Sequence, residues 1–355
     1  MMDEGGFPLP LGYVPHGEAL DRPFDRRRFP RYAAMRGLPF DVVRGWEDHE
    51  VIVLSPAADV TYWVNAPSER QIVFDLPDAY LDEPRGFKRS VRGLAKWAGG
   101  ESRRPVLSHF QAVGRLLERA DAVVCSTAEQ AANIGRYNNN VHPILDLLGE
   151  LESLPPIVRP SNRLNIVWEG LTATLPAIRQ VLPALRSLAL RCELRLHLVT
   201  DLEAPHYMNR FVVRRTEDLV KDWGVDVELH SWSVKTLTEV ASFSDIAIVP
   251  VDLNDPVAAG KPENRMRIFW RLGLPVVVSA CPAHARAAKA AGLAERFVCT
   301  SAKDWESALG ELWSRPDLRA EVALAGQAAG RSEYSEDGLA ERWDQVLQSL
   351  NLGRP

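Results

Sequence analysis

Short apolar runs alternate with segments of helical periodicity through the second half of the sequence. Runs of this length that are rich in β-branched residues are typical of strands buried in a parallel sheet. A helical segment follows each run, so the pattern predicts an α/β sheet with helices on both faces. The predicted strands are Asn165–Trp168, Glu193–Thr200, Val225–His230, Asp245–Val251, Val276–Ala280 and Arg296–Cys299.

The first half shows the same alternation with wider spacing. Its predicted strands are Val51–Leu54, Ile72–Phe74, Ala122–Cys125 and Val141–Ile144. Residues 1–40 are rich in Pro and Arg with little periodicity, so an N-terminal arm is expected there. The proline-rich stretch 146–163 is typical of an interdomain linker. The predicted domains are therefore 41–155 and 156–335, followed by a helical segment over 336–355.

Composition supports two soluble α/β domains. At 355 residues the chain is too long for one compact core. A net charge of −5 argues against nucleic acid as a partner, because that function needs a basic surface. The four cysteines have no metal-ligand or redox spacing. We see neither a signal peptide nor a spanning segment, so a cytoplasmic location is expected.

The segment from Ser244 to His284 reads as strand, loop, helix and strand. Lys261, Asn264 and Arg265 cluster where the loop meets the start of the helix. Backbone N–H groups and the helix dipole favour anions at that end, and Arg and Lys bind phosphate. The cluster therefore predicts a diphosphate site. The later arginines of the same helix, Arg267 and Arg271, are expected to be solvated.

This segment resembles the donor-binding segment of GT-B-fold glycosyltransferases, of the family 4/1-like group. The resemblance rests on Lys261, Asn264 and Arg265, on Gly273 to Pro275, and on the apolar run that follows. It implies two Rossmann-like domains facing each other across a cleft, with a C-terminal helix crossing back. It also implies a nucleotide diphosphate sugar as co-substrate, no other cofactor, and a metal-independent reaction.

The sequence departs from that family at two positions. Where the family usually carries a pair of glutamates, one of which holds the ribose, this chain has Gly260 and Ile268. The departure leaves open whether donor recognition is altered or activity is lost. Three functions therefore stay open: a glycosyltransferase of bacterial surface glycan synthesis, a nucleotide-sugar epimerase-like enzyme, and a non-catalytic binding protein of the same fold.

Further donor-binding candidates follow two of the predicted strands. The resemblance places the turn at Gly170 near the donor phosphates, and glycine permits close backbone approach. Thr172 belongs to the same turn. The alternative role of its hydroxyl, or of the Thr174 hydroxyl, is to cap the next helix. Trp232 follows the third strand, where it either stacks on the nucleobase or packs within the domain.

Catalytic candidates lie in the first half. Asp75 and Asp78 follow the strand that ends near Phe74, and either one, or His109, is a candidate base for the acceptor hydroxyl. Turn formation around Pro77 is the alternative role for both aspartates. No metal ligands are predicted, since Asp-x-Asp spacing is absent, and His16 and His142 are expected to be structural.

A basic amphipathic pattern covers residues 86–97. Such a pattern is used at anionic membrane surfaces or near a lipid-linked acceptor, and also by ordinary domain helices with a solvated face. The expected partners are a nucleotide sugar donor and an acceptor that is a glycan, a lipid-linked molecule or a small molecule. Peripheral contact with the inner face of the membrane through 86–97 is an accompanying prediction.

Overall fold

The structure is a computed structural model that describes residues 10–82, 103, 108–156, 163–206, 212–255, 257, 260–293 and 296–351. The chain folds as two compact units. Unit 1 is Met1–Gly149 together with Glu336–Pro355, and unit 2 is Glu150–Ser335. The predicted basic helix at 86–97 lies outside the described residues.

Unit 1 contains a six-stranded, all-parallel sheet in the order β2-β1-β3-β4-β5-β6. Its central strands are apolar and buried, as expected for strands covered on both faces. The strands are β1 (Leu11–Val14), β2 (Phe40–Val42), β3 (Val51–Leu54), β4 (Gln71–Asp75), β5 (Ala122–Cys125) and β6 (Val141–Pro143). The helices are Pro23–Arg27, Phe29–Arg36, Val60–Trp63, His109–Arg119, Ala128–Ile134 and Glu336–Asn351, with a 3-10 turn at Tyr80–Asp82.

The prediction of an arm over residues 1–40 was wrong for residues 10 to 40. Strand β1 pairs with both β2 and β3, so this segment is part of the sheet. The sequence signal was weak because β1 contains Gly12 and lies between Pro10 and Pro15, while β2 is a three-residue edge strand with two exposed side chains. Glycine and proline are depleted in strands, so neither segment shows the apolar run that identifies the others.

Unit 2 contains a second six-stranded parallel sheet, in the order β11-β8-β7-β12-β13-β14. All six predicted strands are present, with ends within two residues of those observed. They are β7 (Arg163–Glu169), β8 (Glu193–Thr200), β11 (Asp226–Ser231), β12 (Ile246–Val249), β13 (Val276–Ser279) and β14 (Val298–Cys299). An antiparallel pair that was not predicted, β9 (Glu203–His206) and β10 (Val212–Arg215), follows β8.

The helices of unit 2 connect these strands and cover the sheet. They are Leu182–Ala189, Thr216–Val220, Val234–Phe243, Asn264–Arg271, Pro282–Ala290, Ala302–Ser314 and Pro316–Ser332, with a 3-10 helix at Thr172–Gln180. None of the helices in the described part of the chain is long and apolar enough to cross a bilayer.

Strand order reverses once in each sheet. In unit 1 the reversal falls between β1 and β3, and in unit 2 it falls between β7 and β12. In open α/β sheets the two connections that leave such a pair of strands diverge to opposite faces, which opens a crevice beyond the carboxyl ends. Each unit therefore has a defined place for a ligand.

The Glu336–Asn351 helix is held in unit 1 by apolar and polar contacts. Trp343 is fully buried, and its ring stacks on Tyr32 with centroids 5.7 Å apart. At the start of the helix, the Glu336 carboxylate accepts hydrogen bonds from the backbone N–H groups of Leu148 and Gly149, at 2.6 and 3.1 Å. The C-terminal segment thus completes the core of the first unit.

Two glycines set the position of the Asn264–Arg271 helix in unit 2. A Cβ atom at Gly326 would lie 2.3 Å from Cδ1 of Trp270, so only glycine lets the Pro316–Ser332 helix pack this closely. Gly273, just beyond the helix, has a φ of +76° and lies against the backbone carbonyls of Leu154 and Pro155. Both contacts fix the helix that carries Arg265 and follows Lys261.

Candidate functional site

A pocket of about 540 Å³ lies at the strand-order reversal of unit 2. One wall is the Thr172–Gln180 helix that follows β7, and the other is the loop from Pro250 to Asp255 that follows β12. Nε2 of Gln180 donates to the carbonyl of Val251 at 3.0 Å, which ties the two walls together. Val257, Lys261, Arg265 and Thr300 complete the lining.

Lys261 and Arg265 are the cations of this pocket, whose lining also includes the exposed Asp252 and Asp255. Both side chains are half-buried, Lys261 in the loop before the Asn264–Arg271 helix and Arg265 in its first turn. Burial lowers the pKa of the Arg265 guanidinium and Glu169 opposes that shift, but an arginine remains charged in either case. Two fixed cations at a helix N-terminus suit a ligand with adjacent phosphates.

Gly170 is required at its position by the packing around Arg265. A Cβ atom there would lie 2.9 Å from Nη1 of Arg265 and 2.8 Å from Cζ2 of the buried Trp168. The guanidinium also donates from Nη1 to the Glu169 carbonyl at 3.3 Å. The structure therefore brings the predicted residues Gly170 and Arg265 together, with the glycine leaving room for the cation.

The carboxylate of Glu169 connects to Trp232 and was not predicted as a functional group. Its Oε1 accepts from Nε1 of Trp232 at 3.0 Å, which fixes the indole beside the end of β7. Its Oε2 is buried with no hydrogen-bond partner among the described residues. An acid immediately before the glycine of a strand–helix turn was the available sequence signal, but such acids are also common in turns.

The remaining donor-binding candidates lie near the pocket without lining it. Thr172 is buried at the first position of the 3-10 helix, which has no side-chain cap, so the capping prediction was wrong for this hydroxyl. It was also wrong for Thr174, whose hydroxyl donates to the Leu171 carbonyl at 2.8 Å. Asn264 accepts from Nη1 of Arg267 at 3.1 Å. Gly170 and Trp232 are likewise outside the described lining.

The prediction that Arg267 and Arg271 are solvated was wrong. Arg267 is only 4% exposed, and its guanidinium lies 5.3 Å from the ring centroid of Tyr334. Nε of Arg271 donates to the Leu151 carbonyl at 2.6 Å, which holds the segment that enters unit 2. These arginines stabilise the helix on which Arg265 lies.

At the two positions where the family carries glutamates, the structure shows different environments. Ile268 is completely buried in the core behind the Asn264–Arg271 helix. Gly260 lies in the half-buried loop before Lys261. A buried isoleucine offers no polar contact to a ribose, so any donor must be recognised through other groups.

A second pocket, of about 350 Å³, lies at the strand-order reversal of unit 1. Its lining includes Asp78 and His109, two of the three predicted catalytic residues, together with His16, which was expected to be structural. His16 follows β1, Asp78 follows β4, and His109 begins a helix, so three separate elements meet here. The sequence did not identify the partners of His16 because Asp78 and His109 are more than sixty residues away and the contact with Asp25 forms only when the loop after β1 folds back on the following helix.

Burial and nearby charges set the protonation of His16. Burial lowers the pKa of the imidazole below its usual value, while Asp25 and, more weakly, Asp78 act in the opposite direction. The Asp25 carboxylate also accepts from the backbone N–H groups of His16 and Gly17, at 2.8 and 3.0 Å. His16 is thus held in a fixed loop as a largely neutral imidazole, which is able to accept a proton.

Asp75 is not placed like the other two catalytic candidates. Its side chain is 3% exposed, and both of its oxygens accept from the guanidinium of Arg28, at 2.6 and 2.9 Å. Burial raises the pKa of the Asp75 carboxyl and Arg28 opposes that shift. A general base must reach the proton it removes. We therefore correct the prediction for Asp75 and assign it a structural role.

Within the part of the chain that the structure describes, one group of side chains could hold a metal ion. It consists of His197, Glu228 and His230 in unit 2. None of these residues lines the pocket of Lys261 and Arg265.

His142, the other histidine expected to be structural, lies in unit 1 with Nε2 2.7 Å from Oδ1 of Asn140.

Solved structures with a similar fold are glycosyltransferases and related sugar-processing enzymes. No protein-family model and no curated protein matches the sequence. WaaG, a glycosyltransferase involved in lipopolysaccharide biosynthesis, is 15% identical with a TM-score of 0.53, over 95% of this chain and 99% of WaaG. Sucrose-phosphate synthase from Thermosynechococcus elongatus is 13% identical with a TM-score of 0.58, over 96% and 81% of the two chains.

TarM from S. aureus, in a complex that contains UDP, is 9% identical with a TM-score of 0.57. That match covers 84% of this chain and 55% of TarM, so the chain spans about half the length of that protein. At these identities the likeness establishes the fold. With two Rossmann-like parallel sheets, the predicted GT-B fold class is confirmed.

Proposed function

We propose that this protein is a glycosyltransferase that moves a sugar from a nucleotide diphosphate sugar to a hydroxyl acceptor. The observation that carries the proposal is the pair Lys261 and Arg265 in a pocket at the strand-order reversal of unit 2. Two cations beside a helix N-terminus suit the charge of a diphosphate. The confirmed fold class, shared with enzymes that act on sugars, supports this interpretation.

In the proposed reaction the donor's bond between the anomeric carbon and the diphosphate oxygen breaks, and a nucleoside diphosphate leaves. Lys261, Arg265 and the positive end of the Asn264–Arg271 helix would stabilise the negative charge that develops on the departing phosphate. Fixed cations can supply this stabilisation themselves, so the proposed chemistry needs no metal ion. Glu169 and Gly170 would support the site by positioning Trp232 and making room for Arg265.

Unit 1 would supply the acceptor-side chemistry. The acceptor hydroxyl attacks the anomeric carbon and loses its proton, and in an inverting transfer a carboxylate or imidazole takes that proton. Asp78, His109 and His16 line one pocket and are the candidates for this role. With Asp75 bound to Arg28, we place the base among these three side chains.

The biological setting that fits best is synthesis of a bacterial surface glycan or glycoconjugate in the cytoplasm. WaaG is described as acting in lipopolysaccharide biosynthesis, and the TarM complex contains UDP and α-GlcNAc-glycerol. A glycan, lipid-linked or small-molecule acceptor would place its hydroxyl in the pocket of unit 1. Contact with the inner membrane face through residues 86–97 stays a prediction from sequence.

One observation favours a second candidate, a binding protein that keeps the fold without transferring sugar. The position usually occupied by a ribose-binding glutamate is the buried Ile268. A binding protein would retain nucleotide affinity through Lys261 and Arg265 and would release no nucleoside diphosphate in the presence of acceptors. Product analysis therefore separates the two candidates.

Calorimetric titration of the full chain with UDP, GDP and ADP sugars tests the donor site. Replacing Lys261 or Arg265 by Ala should weaken binding by about 1.5–3 kcal/mol, the range for hydrogen bonds to charged groups. Lys235→Ala is the matched control, because Lys235 is 85% exposed on another helix of unit 2. If both pocket variants bind every ligand as the wild type does, the site lies elsewhere.

A further inference from the structure

Three potential metal ligands lie together on the sheet of unit 2, apart from the pocket of Lys261 and Arg265. His197 on β8 is paired in register with Glu228 on β11, and His230 is two residues further along β11. Side chains two apart on a strand project from the same face. The register therefore brings two imidazoles and a carboxylate together, and their ligand atoms all lie within 4.8 Å of one another.

The distances between these atoms are close to those around a tetrahedral ion. Nδ1 of His197 lies 3.1 Å from Nε2 of His230. Oε2 of Glu228 lies 3.8 Å from the His197 nitrogen, and Oε1 lies 3.8 Å from the His230 nitrogen. Ligands about 2.0–2.2 Å from zinc at tetrahedral angles are separated from each other by roughly 3.3–3.6 Å. The two nitrogens are thus slightly closer than in such a site and the carboxylate slightly farther, so a small rotation of the Glu228 side chain would place one oxygen beside both nitrogens.

The tautomer of His197 is set by a contact on its other side. Nε2 of His197 lies 3.2 Å from Oδ1 of Asn165 on β7. An amide oxygen only accepts, so Nε2 carries the proton and the lone pair of Nδ1 points toward His230 and Glu228. A carbonyl oxygen behind the second ring nitrogen is the usual arrangement around a metal-bound histidine.

Neighbouring side chains orient the other groups and balance charge. Nη1 of Arg195 donates to Oε2 of Glu228 at 2.9 Å, and the same guanidinium is paired with Asp226. The ring of Phe243 packs edge-on against His197 with centroids 5.1 Å apart. An open depression of about 480 Å³, lined by His197 and Glu228 among others, gives access from solvent.

We propose that His197, Glu228 and His230 bind one divalent transition-metal ion of the zinc class, with water as a fourth ligand. Imidazole nitrogens with one carboxylate oxygen are a ligand set that suits zinc. The ion would link β8 to β11, the edge strand of the sheet, and so would stabilise unit 2. It takes no part in the proposed sugar transfer, whose cations are Lys261 and Arg265.

The test is metal titration of the purified full chain after treatment with EDTA and a thiol reductant. Zn²⁺ binding measured by calorimetry should show one ion per chain, and Co²⁺ should give the intense visible absorption of a tetrahedral site. The thermal unfolding midpoint should rise with Zn²⁺. The matched control is His142→Gln, a half-buried histidine of unit 1 that should change none of these results.

Two variants make the outcome decisive even if the buried His197 tolerates no replacement. His230→Gln and Glu228→Gln alter half-buried side chains, and each should weaken Zn²⁺ binding at least tenfold and remove the thermal shift. The proposal is overturned if the wild type binds no Zn²⁺, or if His230→Gln binds it with unchanged affinity and stoichiometry. His197 and His230 would then form a hydrogen-bonded pair only.

Discussion

The pockets at the two strand-order reversals have the same place in their sheets and different side chains. In unit 1 the pocket is lined by two histidines, His16 and His109, and by Asp59 and Asp78. In unit 2 it is lined by two cations, Lys261 and Arg265, and by the exposed Asp252 and Asp255. The strand order thus fixes where a ligand can bind, and the side chains that follow the strands decide which ligand it is.

Burial acts on both pockets with different consequences. It lowers the pKa of His16 and also that of Arg265. An imidazole shifted in this direction is neutral near pH 7 and can accept a proton, whereas an arginine stays charged. The same desolvation therefore prepares a base in unit 1 and leaves a phosphate-binding cation in unit 2.

The largest effect that tests this difference between the two pockets is expected from Asp78→Asn in unit 1. If Asp78 is the base, turnover should fall by roughly 10²–10⁴, while donor affinity stays unchanged because Lys261 and Arg265 are intact. Turnover is measured as release of nucleoside diphosphate and donor affinity by calorimetry. Asp48→Asn, at an exposed position of the same unit, is the control.

His109→Asn should be measured beside Asp78→Asn. Loss of turnover in only one of them identifies which group takes the proton. Full turnover in both would show that neither side chain is the base.

Within unit 1, Asp75→Asn should affect stability more than chemistry. Removing the Asp75 carboxylate leaves the buried Arg28 with the longer contact to Asp146, at 3.4 Å, and should lower the free energy of unfolding by about 3 kcal/mol, the lower end of the range for breaking a buried pair. Urea unfolding measures the change. The control is Glu18→Gln, whose pair with Arg44 is more than 80% exposed and should contribute below about 1 kcal/mol. Equal stability of both variants would contradict the structural role of Asp75.

In unit 2, Gly170→Ala should weaken the cation pocket without altering charge. The new methyl group would lie 2.9 Å from Nη1 of Arg265, so the guanidinium must move. We expect roughly tenfold weaker nucleotide diphosphate binding, or about 1.4 kcal/mol. Gly310→Ala, where a Cβ meets nothing within 4 Å, should bind like the wild type. Unchanged affinity in Gly170→Ala would show that this position of Arg265 is not used for binding.

The smallest expected effect is that of chelation on catalysis. If fixed cations stabilise the leaving group, transfer measured well below the unfolding temperature should persist in excess EDTA. The proposed metal site of His197, Glu228 and His230 adds a second measurement to this experiment. EDTA should lower the thermal unfolding midpoint while leaving the rate of sugar transfer unchanged. Loss of transfer that a divalent ion restores would overturn the metal-free mechanism.

Several features could be predicted because they depend on local sequence. The strand Glu193–Thr200 has a leucine at every second position from Leu194 to Leu198, the period expected of a strand, and its ends were predicted correctly. The cluster of Lys261, Asn264 and Arg265 before a helix is also local, as is the Gly273 turn, whose positive φ only glycine adopts easily. The fold class followed from the repetition of such units.

Other features arise only when distant segments meet. The roles of Asp75 and His16 depend on Arg28, on Asp25 and on strands dozens of residues apart, so no spacing rule could assign them. The short strand β1 is stabilised by pairing on both sides and carries little signal of its own. The cluster of His197, Glu228 and His230 likewise exists only through the register of β8 and β11.

By itself, then, the sequence determined the alternation of strands and helices and the charge at the start of one helix, because both are properties of contiguous residues. Tertiary structure decided which acid is buried against an arginine and which lines a pocket. It also decided which histidines come within reach of each other. These are properties of packing, and packing sets desolvation, hydrogen-bond partners and therefore the chemistry that each side chain can perform.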